Sequence, residues 1–394
     1  MRNLIYLLLV LLPGCNEITQ VSNSGYGAFE ADIESLDDNT VALAWYDTRH
    51  PQAEIYLRLL DHQLKPISTE FRLSENDAQS YEVDIVALGA NIAATWYELD
   101  ASDHGVVRLG LWNRQGEQLW IRNLTLADID ARIPVLETVG AELFVAWLET
   151  AIDTNGQPGA AAVVAVRIDA AGSNKSEPFF VATASTTTWN LNLAIETDDV
   201  SATALLAFDA EHETVASELY VARVSDAGIS VNRLSADDGY ASKYPDIALR
   251  QGKIALTWFD ELSGNNEIYV TVRELTEISS PRLRENLESR AIRISSTDGN
   301  SIGSYLAWNG AKLGLAWSDS DEEQHEVYFQ ELNAVGKPKS KIQRLSRTRA
   351  DSLIPSISSF GTGFMVGWNE VTVNAHDSNP RLSRSEVVAT SIVK

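Results

Sequence analysis

Every fifty-odd residues this chain repeats itself, and a unit of about 50 residues made of short strands is the length of one four-stranded propeller blade. The clearest copy begins at Tyr244-Pro245-Asp246-Ile247-Ala248, turns at Gln251-Gly252-Lys253 and continues from Ile254 to Asp260. A polar loop then leads to Glu267 through Arg273, and Ala291 to Ser295 closes the unit. Each segment is short, rich in β-branched and aromatic residues, and bounded by Gly, Asn, Asp or Ser, which is strand and turn chemistry with no helical period. One such sheet cannot cover its own apolar faces, so its neighbours in the repeat must cover them.

The second strand of each copy ends on an aromatic residue: Trp45, Trp96, Trp147, Phe208, Trp258, Trp317 and Trp368. Seven anchors predict seven blades. A large ring at one fixed place per repeat suits packing between blades, where each indole buries about 150 to 250 Å². Two wide gaps between anchors reflect the loop Asp153 to Gly159 and the segment Ser279 to Arg290, whose Ser280-Pro281 start predicts a helical turn or two. The seventh repeat ends one strand short. The missing strand is supplied at the other terminus, because Ile18-Thr19-Gln20-Val21-Ser22 reads like Ile342-Gln343-Arg344-Leu345-Ser346, the fourth strand of the sixth copy. Pairing the termini in one sheet removes two open edges. The expected fold is thus all-β: a seven-bladed β-propeller with four-stranded antiparallel blades, the last closed by the N-terminal strand. Its approximate blades are 29–78, 79–129, 130–185, 186–239, 240–299, 300–351 and 352–394 plus 17–22.

Residues 1–14 stand outside this fold and read as a signal peptide. Arg2 supplies a positive start, and the apolar run Leu4 to Leu12 is shorter than the about 20 residues a membrane-spanning helix needs. The run ends in Leu12-Pro13-Gly14-Cys15, which resembles the lipobox of bacterial lipoproteins. That resemblance implies cleavage before Cys15, acylation of its sulfur and membrane attachment of a single domain spanning 15–394. Cys15 is the sole cysteine, so no disulfide forms within a monomer. Asn16 is not the aspartate that resembles an inner-membrane retention signal, which points to the cell envelope and the outer membrane of a Gram-negative bacterium.

Strand directions fix which face looks away from the membrane. If each inner strand runs from the top face to the bottom, Cys15 lies at the bottom. The top then carries the loops joining second to third strands and those joining blades. A carboxylate follows six anchors by two residues: Asp47, Glu98, Glu149, Asp260, Asp319 and Glu370. Five of the six histidines fall in the same loops, at His50, His104, His212, His325 and His376. Imidazole beside carboxylate suits a divalent cation, although no cofactor is expected, and an acidic rim suits a protein or glycan partner. A carboxylate just after a strand also caps its own turn, and recurrence in nearly every blade favours that structural part. Asp32, Asp84, Asn192 and Asp246 recur on the inner strands, at the channel mouth. With 55 acidic against 31 basic residues and a net charge of -24, the surface repels phosphate backbones, so nucleic acid is not an expected partner.

Trp45-Tyr46-Asp47-Thr48-Arg49 followed by Ile55-Tyr56, and Trp258-Phe259-Asp260 followed by Ile268-Tyr269, resemble the repeats of sialidase-like propellers. That resemblance implies, for an enzyme, three arginines on a substrate carboxylate, a tyrosine nucleophile with a glutamate partner and an aspartate acid, all near the axis. Arg132-Ile133-Pro134 is similar to the arginine-bearing motif, but it occupies the place filled by Tyr244-Pro245-Asp246 elsewhere. Ser235-Ala236-Asp237-Asp238-Gly239 matches the family's Asp-box in part, with Ser242 where an aromatic belongs. Arg58, Arg167, Arg223 and Arg273 fall on third strands, and Arg72, Arg233, Arg293 and Arg344 on fourth strands, away from the axis. Asp153-Thr154-Asn155-Gly156 begins like a calcium loop without the later acidic ligand, and phosphate-binding and hydrolase signatures are lacking. Two functions follow: a non-catalytic binding or assembly module working through an acidic top face, or a sialidase-like glycan hydrolase with its site at the axis.

Overall fold

A computed structural model describes residues 17–392, apart from 127–128, 153–157, 186–187, 189, 198–201, 212–215, 279–289, 321–323, 347–350 and 373–383. β1 (Ile18–Gln20) comes first. Blade one then holds β2 (Ala28–Asp37), β3 (Thr40–Asp47), β4 (Glu54–Asp61) and β5 (Phe71–Arg72). Blade two holds β6 (Gln79–Leu88), β7 (Asn91–Leu99), β8 (Gly105–Trp112) and β9 (Gln118–Asn123). Blade three holds β10 (Ile129–Val139), β11 (Glu142–Ile152), β12 (Pro158–Asp169) and β13 (Phe179–Ala184). Blade four holds β14 (Leu191–Thr197), β15 (Ala202–Ala210), β16 (Glu218–Ser225) and β17 (Gly228–Arg233). Blade five holds β18 (Ser242–Arg250), β19 (Lys253–Asp260), β20 (Glu267–Glu274) and β21 (Ile292–Arg293), with the short helix α1 (Leu275–Ile278) between the last two. Blade six holds β22 (Ser301–Asn309), β23 (Lys312–Asp319), β24 (Glu326–Asn333) and β25 (Gln343–Arg344). Blade seven holds β26 (Asp351–Phe360), β27 (Gly363–Thr372) and β28 (Arg384–Ile392), and β1 completes it in the order β1-β28-β27-β26. The expected seven-bladed, antiparallel, N-terminally closed ring is what the chain builds.

Closure uses the same joint as an ordinary blade. In blades one, four, five and six a glutamate opens the third strand, and a serine after the fourth strand donates to it: Ser74 to Glu54, Ser235 to Glu218, Ser295 to Glu267 and Ser346 to Glu326. Each of these serines also accepts the amide that follows its glutamate, at 2.7–2.8 Å. In blade seven Ser22 donates to Glu386 at 2.5 Å and accepts the amide of Val387 at 2.8 Å. The likeness of Ile18–Ser22 to Ile342–Ser346 is therefore a likeness of hydrogen bonding, and β1 registers Ile18 against Thr390 and Gln20 against Val388.

The core lies in the seams between blades. One cluster joins Val41, Leu43 and Trp45 of blade one to Phe360, Met365 and Val387 of blade seven, and another joins Ala255 and Phe259 of blade five to Leu315 and Trp317 of blade six. Six of the seven inner strands carry a bulge that sets two residues opposite the anchoring tryptophan. Between Phe29 and Asp32, for instance, Glu30-Ala31 faces Trp45. The bulge recurs at Glu82, Ile133, Tyr244, Gly303 and Ile354, all with positive φ near 50–58°. It frees one amide from the ladder, which explains Pro134, Pro245 and Pro355 in the middle of inner strands. Blade four, anchored by Phe208, runs in unbroken register from Leu191. The helical turn expected after Ser279 lies outside the described residues, as does most of the Asp153 to Gly159 loop; the described helix α1 ends just before the former.

Candidate functional site

The six carboxylates that follow the anchors are turned into the blade. Trp45 Nε1 donates to Asp47 at 3.1 Å, and Trp96, Trp147 and Trp368 donate to Glu98, Glu149 and Glu370 at 3.0 Å. A buried indole N–H needs an acceptor, and a carboxylate two residues on along the same strand stands on the same face to provide one. Asp47 is fully buried and also takes Ser24 Oγ at 2.8 Å and Arg49 Nη2 at 2.6 Å. Asp260 instead receives Ser242 Oγ at 2.6 Å and the Leu262 amide at 2.9 Å, and Asp319 receives Ser301 Oγ at 2.5 Å. Asp47, Glu98, Asp319 and Glu370 are each less than a tenth exposed and so form no exposed rim, whereas Glu149 and Asp260 are partly exposed.

The histidines are likewise apart. His50 Nε2 is 2.8 Å from Tyr56 Oη in blade one, His104 donates its amide to Asp100 at 3.0 Å in blade two, and His325 Nδ1 lies 3.6 Å from Asp351 between blades six and seven. His212, His376 and Cys15 lie outside the described residues. Among the described residues no group of three or more His, Cys, Asp or Glu is placed to hold a metal ion.

The axis is where carboxylates converge. Asp32 accepts the Ile85 amide of the next blade at 2.9 Å, Asp84 accepts Leu136 N at 2.6 Å, and Asp246 accepts Leu306 N at 2.6 Å. Asn192 follows the same geometry with opposite polarity, donating to Pro245 O at 2.9 Å. These side chains stitch each inner strand to its neighbour and also line a cavity of about 830 Å³ on the propeller axis. Glu30, Glu34, Glu82 and Glu137 line it as well, which brings seven carboxylates into one space. Among the described residues lining it, the only Arg or Lys is Arg250.

Such crowding moves protons. Burial pushes Glu82 up to about 8, with Glu30 repelling its charge, and holds Glu30 itself at about 7. Glu34 rises to about 8 through burial, then Glu137 and Asp32; Glu137 and Asp246 rise to about 7, chiefly by burial. Asp32 and Asp84 are both raised, first by burial, and Asp84 is raised further by the charge of Asp32 beside it. Asp32, Asp84 and Asp246 are expected at the channel mouth from the sequence, and the four glutamates join them there in the structure. Their signal was the alternation Glu30-x-Asp32-x-Glu34 and Glu82-x-Asp84, which puts charges on one face of a strand whose other face is core.

The residues that resembled sialidase motifs have local partners. Arg132 pairs with Asp130 at 2.7 Å and donates to Asp103 O at 2.6 Å, its guanidinium 5.8 Å from the Tyr97 ring. Ser235 belongs to the fourth-strand joint, and Arg72 and Arg293 pair with Glu54 and Glu267 at 2.6 Å within their own blades. No arginine cluster stands at the axis among the described residues.

Solved structures share this architecture. A phage phi92 endosialidase aligns over 96% of this chain and 69% of its own, at 10% identity and a TM-score of 0.52. The chain shares the β-propeller fold of that structure. A protein of unknown function from Dyadobacter fermentans DSM 18053 aligns over 96% of this chain and 99% of its own, at 9% identity and a TM-score of 0.54. No family model and no curated protein matches the sequence. Likeness at this level of identity is a likeness of fold alone.

Proposed function

We propose that this chain is an exported, lipid-anchored binding module that captures a cationic ligand in its axial cavity and catalyses no reaction. The observation that carries the reading is the meeting of seven carboxylates in a cavity of about 830 Å³, within the size range of small-molecule sites. A cation entering this space offsets the burial and mutual repulsion that otherwise hold these carboxyls protonated. Net charge supports it too, since -24 on the chain draws positive ligands toward the ring. A hydrolase of anionic sugars draws no such support, because the substrate carboxylate would meet carboxylates where that chemistry needs arginines.

Topology supports an orientation for the anchor. Thr390 Oγ1 donates to Glu17 O at 2.9 Å at the end of the ring opposite Glu30 and Glu82. Acylation at Cys15 would place that end against the membrane and leave the Glu30 end facing away. The test is calorimetric titration of the mature chain with putrescine at low salt. Binding is expected, and the double variant Glu30→Gln/Glu82→Gln should weaken it by about tenfold or more, the worth of one lost charge-assisted contact. Undiminished binding by that folded variant overturns the proposal.

A further inference from the structure

The carboxylates of the axial cavity stand at three levels, set by the register of each inner strand on the strand that carries its anchor. Glu30 and Glu82 occupy the bulges opposite Trp45 and Trp96 and form the upper level. Asp32, Asp84 and Asp246 pair with Ala44, Thr95 and Thr257, each one residue before an anchor, and form the middle level. Glu34 and Glu137 pair with Ala42 and Phe144, each three residues before an anchor, and form the lower level. Middle and lower levels are two strand residues apart, about 6.7 Å. Groups strung out along an axis do not converge on a point, and among the described residues no three acids are placed to hold a metal ion. The other residues at the lower level are Val86, Ala194, Ala248, Ala307 and Ser358, a mostly apolar wall.

Two side chains of this wall have no hydrogen-bond partner among the described residues: the Glu82 carboxyl at the upper level, and the hydroxyl of Tyr305, which pairs with Ala316 at the middle level. Both are walled in by the ring, and the surface they keep faces the channel. A carboxylate so enclosed needs a donor, and a phenol oxygen so enclosed accepts another. Arg250, at the lower end of the strand that carries Asp246, repels cations from that end, so a positive ligand enters past Glu30 and Glu82. We infer that the ligand is a linear polyamine lying along the axis, with one ammonium at each level and its methylenes on the apolar wall. Nitrogens joined by an extended spacer of three or four carbons repeat at close to the step between levels. The inference rests on the reading of the cavity as a cation site and adds the ligand's shape and charge spacing.

Four probes test it on the mature chain by calorimetric titration at low salt: butylamine, putrescine, spermidine and the branched tris(aminoethyl)amine, which carries the charge of spermidine without its length. Putrescine should bind about tenfold more tightly than butylamine, and spermidine about tenfold more tightly again, the worth of one charge-assisted contact per level. Tris(aminoethyl)amine should bind about tenfold or more weakly than spermidine, because its ammonium groups cannot meet all the levels at once. Glu34→Gln/Glu137→Gln removes the lower level, so it should weaken spermidine by about tenfold while leaving putrescine within about twofold. If that variant does not fold, the ranking of the four probes on the unaltered chain decides alone. Spermidine binding no tighter than putrescine, matched by tris(aminoethyl)amine or unmoved in the folded variant overturns this inference and leaves cation capture standing. Failure of every amine to bind overturns both.

Discussion

Replacing Ser22 by alanine should loosen the whole ring, and the structure sets the size of the effect. Ser22 is 1% exposed, gives its proton to Glu386 at 2.5 Å and accepts the Val387 amide at 2.8 Å. Glu386 also receives the amides of Ser24 at 3.0 Å and Gly25 at 2.9 Å, so it is the hub that fastens the N-terminal segment to the last blade. Alanine strands one buried amide and removes one charge-assisted bond, which together cost about 3 kcal/mol. At about 2.1 cal/mol/K of unfolding entropy per residue, a cooperative ring of this length carries about 0.8 kcal/mol/K, so Tm should fall by about 4 °C. Ser346→Ala deletes the same two bonds inside blade six, whose four strands are contiguous in the chain. Hydrogen exchange separates the two cases. Amides of Arg384–Ile392 should exchange faster in Ser22→Ala, with the seam to blade one opening as well, whereas Ser346→Ala should expose blade six alone. A Ser22→Ala protein with unchanged Tm and unchanged exchange in Arg384–Ile392 would refute the view that this joint closes the ring.

Stability should fall as pH rises from 6 to 9. Glu34 and Glu82 at about 8, and Glu137 and Asp246 at about 7, bind protons in the folded chain that the unfolded chain has already lost. Their contribution is complete below the ordinary carboxylate range and disappears through pH 7 to 8, so scanning fluorimetry should show a falling Tm, flattened in Glu34→Gln; a flat or rising wild-type profile contradicts it. Ile354→Gly should hold or raise Tm, because a β-branched residue at φ 52° costs about 1–2 kcal/mol and the side chain is 37% exposed; a loss above about 1 kcal/mol by urea unfolding counts against the strain argument. Trp96→Phe should lower stability by about 2 kcal/mol more than Trp258→Phe, since Trp96 Nε1 bonds Glu98 at 3.0 Å whereas Trp258 Nε1 has no partner; equal losses would show that the indole bond does not matter.

The ring was legible in the sequence because its determinants are local and repeated. The anchors at Trp45 through Trp368, the turn residues and the likeness of Ile18–Ser22 to Ile342–Ser346 each report a contact that recurs in space as it recurs in the chain. The site was only half legible. Asp47, Glu98, Glu149 and Glu370 look exposed in the sequence because they stand at strand ends, yet each is turned inward by the indole two residues earlier, whose N–H it meets. Glu30, Glu34, Glu82 and Glu137 come together only because the inner strands of blades one to three line one axial cavity, a convergence that no single repeat displays.

The central claim, that the axial carboxylates receive a cation, is tested most directly by counting protons. Titrating the mature chain with putrescine at pH 7.5 in two buffers of different ionisation enthalpy should give binding heats that differ by the release of roughly one proton per amine, because a bound ammonium draws Glu30 and Glu82 back into their ionised form. Glu30→Gln/Glu82→Gln should abolish that difference. Heats that are identical in the two buffers, or a release that survives in the double variant, would contradict the account.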